Sequence, residues 1–313
     1  MIKTKKYIQS FRLLQFSILL LITFLLVGCN GEHQRSDLDT TKSGRINISV
    51  DESFKPVIDS QIQVFEALYP DAKIIASYKP EAECLKDLQS DSTRMIIITR
   101  ELSDNEEKFY KDSFKFVPAS DKVASDAMTV IVNNKAKDTI FSMEKIRGIL
   151  NGSTADKQIA VFDGLTETSS VRFAIDSILK GKPLDPKKVF AVKSSQEVIN
   201  YVSNNENAMG FVGVSWIGNK EDTAQLSFLR KVKIASIQCT CPEDTYVKPY
   251  QANIVTRRYP LVRGLYYILK ENYEGLGAGF ANFLTYDKGQ KIFYRAYLAP
   301  GRMDLTIRSA TMN

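Results

Sequence analysis

The sequence predicts an α/β protein built on a mostly parallel sheet, and three observations carry that prediction. Strand-like apolar segments alternate with 3.6-period helical ones along nearly the whole chain after residue 45. The run from Met95 to Thr99 is continuously apolar up to its threonine, as expected of a parallel strand buried on both faces. Two capping boxes, Ser103-Asp104-Asn105-Glu106 and Ser194-Ser195-Gln196-Glu197, mark helix starts directly after such strands.

Taken in order, Ile46, Ile48 and Val50 alternate as a first strand, and 57–68 reads as a helix with apolar positions 58, 62, 65 and 68. A strand over 72–77 and a helix over 80–88, opened by Pro80 and acidic residues, come next. The rhythm continues through strand 127–132, helix 142–150, strand 158–162, helix 169–180 and strand 189–192. Strands near 208–214 and 232–237 follow, and apolar helices around Phe280, Phe283, Ile292 and Phe293 close the chain. No repeat or low-complexity stretch interrupts it. Repeated βαβ units build an open sheet with helices on both faces, and ligands of such sheets sit at strand carboxyl ends.

The N-terminus has a different character. Lys3, Lys5, Lys6 and Arg12 precede an uncharged apolar stretch from Leu13 to Val27. At roughly 15 residues it is short for a membrane span, which needs about 20. It ends at Leu26-Val27-Gly28-Cys29, which resembles a bacterial lipobox. Residues 1–28 therefore read as a lipoprotein signal peptide and Cys29 as the lipidated first mature residue. Several acyl chains would anchor the chain stably to a bacterial membrane in the cell envelope, facing the periplasm. The polar stretch after Cys29 has no aromatic residue, and 29–43 reads as a tether.

Charge and residue counts exclude several classes. Of the formal charge of +6, four units lie in the signal region, leaving about +2 and no argument for a nucleic-acid partner. The single histidine, His33, lies in the tether, so a His-dependent hydrolase or a His-rich metal site has nothing to work with. Cys239 and Cys241 could join a disulfide, but with Cys84 three thiols leave one over, and free buried cysteines are the expected state. No metal, cofactor or catalytic residue is expected, and the chain is not read as an enzyme.

Four strand-to-helix turns carry hydroxyls or charges: Asp51-Glu52-Ser53-Phe54, Lys79-Pro80-Glu81, Thr99-Arg100-Glu101, and Thr166-Glu167-Thr168-Ser169-Ser170 with Arg172 following. Hydroxyls, free backbone N–H groups and an arginine fork suit a tetrahedral oxyanion. Each has a plainer role. Ser53, Thr168, Ser169 and Ser170 are good helix caps, Arg172 can pair with Asp176 along one helix face, and Arg100 has acids nearby.

The order of motifs resembles the phosphate-binding proteins of ABC transporters, which are two-lobed type II periplasmic binding proteins. The resemblance runs over roughly residues 46 to 300. It rests on Ser53-Phe54; on Met95 to Leu102, with Thr99-Arg100 at the family's Ser-Arg; and on Asp126 to Asn133. Phe141 to Gly152, Ala208-Met209-Gly210-Phe211-Val212, Tyr259-Pro260-Leu261 with Arg263, and Gly289 to Ile292 continue it. Thr168-Ser169-Ser170 stands where the family has Ser-Gly-Thr. The arginine that often precedes that motif falls on Gly164, with Arg172 as substitute, and Glu81 stands in place of a serine.

The resemblance implies lobes of 44–125 plus 250–313 and of 126–249, joined by two crossovers. It implies a cleft site of Ser53, Phe54, Glu81, Thr99 and Arg100 facing Thr168, Ser169, Ser170 and Arg172. The ligand would be phosphate or a related oxyanion, delivered by a monomer to an ABC permease. Glu81 could accept the proton of a monohydrogen phosphate, or could repel a dianion. The other reading is a protein of this fold used for sensing, adhesion or scavenging without a permease.

Overall fold

The computed structural model describes residues 39–303 apart from Lys220. The signal peptide, Cys29 and most of the tether lie outside the described residues. Among the described residues no helix is long and apolar enough to cross a membrane.

Strand β1 (Gly44–Asp51) pairs in parallel with β2 (Ala72–Lys79) along its whole length and with β3 (Met95–Ile98) on its other edge. Helix α1 (Lys55–Leu68) connects β1 to β2. It starts with a proline in its first turn and buries Val57, Ile58, Gln61 and Phe65. Helix α2 (Glu81–Leu88) connects β2 to β3 and turns Glu81, Cys84 and Leu88 inward. Helix α3 (Asp104–Phe114) begins at the expected capping box, with Ser103 and Glu106 bonded reciprocally.

The next strand, β4 (Ala119–Asn133), is far longer than the expected 127–132 and organises the molecule. Its first part pairs antiparallel with β12 (Val262–Leu269), which lies between β3 and β4. At Met128 its partner becomes β8 (Ala208–Gly213), and beyond β8 lie β6 (Ile159–Phe162) and β7 (Val189–Ala191), all parallel. The sheet thus reads β2-β1-β3-β12-β4-β8-β6-β7, with parallel blocks at both ends and antiparallel pairs only around the two long central strands. This is the predicted α/β class.

The expected strand over 232–237 is broken at Ala235. Strand β9 (Val232–Ile234) stays on β4, while β10 (Ser236–Gln238) leaves to join β5 (Ile140–Phe141) and β11 (Tyr246–Val247). Helix α4 (Met143–Leu150) is capped by Ser142. The expected helix over 169–180 is a short α5 (Ser169–Phe173) running directly into a π-turn at Ala174–Ile178. Helix α6 (Ser195–Asn204) follows β7, and α7 (Thr223–Leu229) and α8 (Gln251–Val255) lie on the return path to β12.

One core cluster runs beneath both halves of the sheet, and a smaller cluster covers the other face of each half. The terminal helices α9 (Leu276–Thr285) and α10 (Asp287–Arg295) close the core under α1. There Phe65 meets Phe280 and Phe283 edge-on, each at 5.3 Å, contacts worth about 0.5–1.5 kcal/mol apiece beyond burial. The cysteines depart from the sequence expectation. Cys239 and Cys241 are joined in a disulfide in the β10–β11 turn, and among the described residues Cys84 alone is free, and it is buried.

Candidate functional site

The strand ends converge where the two halves of the sheet meet. Asp51 ends β1, Thr99 follows β3, Asp163 follows β6, Gly213 ends β8, and Arg263 stands near the start of β12. Arg263 and Asp126 form a nearly fully buried ion pair, Nε to Oδ2 at 2.8 Å. Arg263 Nη1 donates to Ser169 Oγ at 2.9 Å, and the guanidinium lies 5.1 Å from the Phe54 ring. A Cβ on Gly213 would sit 3.2 Å from Ser53 O, 3.3 Å from Asp126 Oδ2 and 3.4 Å from Arg263 Nη2. Glycine permits that close approach.

Ser53 is fixed from both sides. Its N–H donates to Asp51 Oδ1 at 2.9 Å, and its carbonyl accepts from Trp216 Nε1 at 2.9 Å and Ser215 Oγ at 3.3 Å. Its hydroxyl lies 3.5 Å from both Asp163 Oδ2 and Ser169 Oγ, the outer limit of a hydrogen bond. Ser170 Oγ donates to Asp163 Oδ2 at 3.2 Å, while Thr168 caps α5 through the Val171 N–H. Among the described residues, Arg263 Nη2, Asp51 Oδ2 and Asp163 Oδ1 are buried without a partner. A buried unpaired polar group is costly, about 1–3 kcal/mol and more when charged, so each of these three atoms calls for a partner, water or ligand.

Burial, then the Glu81 carboxylate, pushes the Asp51 carboxyl up to about 6, and burial likewise raises Asp163. Burial works against the Arg263 charge, but the carboxylates of Asp126, Asp51 and Asp163 overcome it and raise its pKa.

A second cluster lies outward of the first. Glu81, 3% exposed, accepts from the Thr99 N–H at 2.9 Å and from the Thr99 hydroxyl. Arg172 donates from Nε to Glu81 Oε1 at 2.6 Å and from Nη2 to Thr99 Oγ1 at 2.6 Å, and its bond to Asp176 is the longer one at 3.6 Å. Burial opposes the Glu81 charge, but Arg172 and Thr99 prevail and lower its pKa. Beside them the Ala82 N–H donates to Glu167 O at 3.1 Å, so α2 is stitched directly to the turn before α5.

A third contact spans the same divide: Ser195 at the start of α6 donates its N–H and its hydroxyl, the latter at 2.7 Å, to Glu52. Burial, opposed by these bonds, lifts Glu52 to about 7. Groups raised on folding stabilise fully below their unfolded values and lose that contribution as pH climbs through the folded ones. Between pH 5 and 8 the titration of Asp51 near 6 and Glu52 near 7 should therefore lower the melting temperature as pH rises. Glu52→Gln should flatten the upper part of that slope in a thermal-melt series, and an unchanged slope would contradict the placement of Glu52.

The sequence-predicted residues thus separate into groups. Ser53, Phe54, Thr168, Ser169 and Ser170 surround the inner cluster, while Glu81, Thr99 and Arg172 form the outer one. Arg100 lines the same cavity as Glu81, Thr168 and Arg172, but its guanidinium is taken: two parallel bonds of 2.7 and 2.8 Å tie it to Glu106 and hold that carboxyl down at about 2. Sequence reasoning gave no role to Asp51, Asp126, Asp163, Gly213, Trp216 or Arg263. The last had a signal. Leu261, Arg263 and Leu265 alternate as the buried face of a strand, and an arginine there needs a carboxylate partner.

The family model for a PBP superfamily domain matches residues 36–288. The chain belongs to the PBP superfamily. A comparison with curated proteins returns no match. Among solved structures, this PBP-superfamily chain is similar to a candidate phosphate ABC transporter substrate-binding protein with bound phosphate from Clostridium perfringens. That pair shares 16% identity with a TM-score of 0.67, over 82% of this chain and 99% of that one. An ABC-type phosphate transport receptor from Vibrio cholerae gives 16% and 0.60, over 81% and 99%. PstS from Borrelia burgdorferi gives 19% and 0.52, over 82% and 99%. At these identities the likeness is one of fold, that of type II periplasmic binding proteins.

Proposed function

We propose that this protein is a solute-binding lipoprotein that holds phosphate, or a closely related oxyanion, in a cleft between two lobes. The observation that carries the reading is the inner cluster's unpaired set: one buried guanidinium N–H and two buried carboxylate oxygens, ringed by the hydroxyls of Ser53, Ser169 and Ser170. Such a set needs a small ligand that accepts and donates at once. A protonated phosphate does both. Four carboxylates (Asp51, Asp126, Asp163 and Glu81) face two cations (Arg263 and Arg172), so the anion is taken together with protons rather than as a bare multivalent ion. Glu81, whose oxygens are already engaged by Arg172 and Thr99, is no longer the candidate acceptor; Asp51 and Asp163 take that role.

In this reading the lobes comprise about 44–125 plus 250–313 and about 126–249. Ligand binding draws them together by hinge motion, and the contacts of Glu81, Ala82 and Glu52 with Arg172, Glu167 and Ser195 hold the closed form. Cys29 carries the lipid that keeps the protein in the cell envelope, and an ABC permease receives the ligand, with no bond-making step. The solved proteins of like fold that are described as phosphate transport receptors support this assignment.

Trp216, the single tryptophan, donates to Ser53 O and so serves as a reporter beside the seat. Its emission should change saturably with added phosphate and not with chloride; a flat response to phosphate would count against the reading. For the anchor, Cys29→Ser should abolish palmitate labelling, and persistent labelling would place the lipid elsewhere.

A further inference from the structure

The Cys239–Cys241 disulfide joins residues two apart in sequence. A cross-link stabilises a fold mainly by restricting the unfolded chain, and that gain grows with the loop it closes. A loop enclosing one residue gives little of it, so structural stapling is a poor account of this bond.

The surroundings of the two sulfurs are not alike. Arg258 Nη2 lies 3.9 Å from Cys241 Sγ and 3.5 Å from the Glu243 carboxylate. The Thr240 N–H donates to Arg258 O at 2.9 Å, which keeps the turn beside that guanidinium. Among the described residues, the polar neighbour of Cys239 Sγ is the Cys241 carbonyl, at 3.9 Å. Both cysteines are half-buried and within reach of solvent, whereas Cys84 is fully enclosed.

We propose that Cys239–Cys241 is an exchange-active disulfide whose co-reactant is a dithiol. A thiolate of the dithiol attacks Cys239 Sγ, the bond between the two sulfurs breaks, and its electron pair leaves on Cys241 Sγ as a thiolate beside Arg258. The second thiolate of the dithiol then attacks the dithiol's own sulfur in the mixed disulfide and releases Cys239. The dithiol ends as a disulfide, and two electrons and two protons have passed to the protein. The site of first attack follows from the leaving group: the thiol of lower pKa leaves faster, and the cation touches Cys241.

The test treats the oxidised native protein with millimolar dithiothreitol and follows intact mass and alkylatable thiols against time. Cys239 and Cys241 should become alkylatable without a change in Trp216 emission, while Cys84 stays unlabelled. Peptide mapping after brief exposure to a monothiol should find the adduct on Cys239. Arg258→Ala should slow opening roughly two- to fivefold, and Glu243→Gln, at an exposed position, should speed it by a similar factor. A bond that opens only on unfolding, an adduct on Cys241, or a rate indifferent to both charge changes would overturn the proposal.

Discussion

Arg263→Ala is expected to weaken oxyanion binding by about a hundredfold or more and to lower stability by about 3–5 kcal/mol. Both effects have one cause. Arg263 is the buried cation of the inner cluster, bonded to Asp126 and Ser169, with Nη2 unpaired. Its removal leaves Asp126 as an uncompensated charge in the sheet centre and takes away the fork that the ligand would meet. The two effects can be separated. Replacing the pair together, Arg263→Met with Asp126→Leu, should recover most of the stability, because a buried ion pair contributes little net relative to apolar residues of similar size. Binding should not return. Chemical denaturation and ligand titration of both variants check this, and recovery of binding in the apolar pair would remove Arg263 from the seat.

Arg172→Ala is the second large effect. Glu81 is nearly fully buried and Arg172 is about a third exposed, so the pair is discounted for solvent to about 1–3 kcal/mol. Glu81, with its pKa lowered on folding, stabilises above the usual glutamate range, and that contribution is lost as pH falls through the folded value. Without Arg172 the loss should begin at a higher pH. In the proposed two-lobed reading Arg172 and Glu81 lie on opposite sides of the cleft, so the variant should also weaken ligand binding roughly tenfold by loosening closure. Asp176→Ala, which removes only the 3.6 Å contact, should change neither property. If Asp176→Ala matched Arg172→Ala in both assays, the intrahelical pair would be the meaningful one.

Much of this architecture was legible because local signals and tertiary structure agree. The capping box at Ser103, the apolar β3 and the hydroxyl-rich start of α5 all specify locally what the fold then uses. Strand β4 was read short because its first residues, Ala119 to Lys122, are mostly polar, run from exposed to half-buried with no alternation, and are held as a strand by pairing with β12. That pairing spans well over a hundred residues, beyond the reach of any local pattern. Arg263 was quoted within a motif without a role for the same reason: its value depends on Asp126 and Ser169, which come from separate elements. Arg100 shows the converse. Its acidic neighbours were visible in sequence, and Glu106 in the first turn of α3 claims it.

The most direct test is titration calorimetry of phosphate and of sulfate, at one pH near 7, into the chain from Asn30 onward. Phosphate carries protons that Asp51 and Asp163 can accept. Sulfate carries none, and would set its oxygens against theirs in a desolvated site at a cost of about 1–3 kcal/mol for each unmet acceptor. Phosphate should bind saturably with one site per chain, and sulfate at least about tenfold more weakly. Equal affinity for the two anions, or no heat with phosphate, would contradict the assignment of the inner cluster as a seat for a protonated oxyanion.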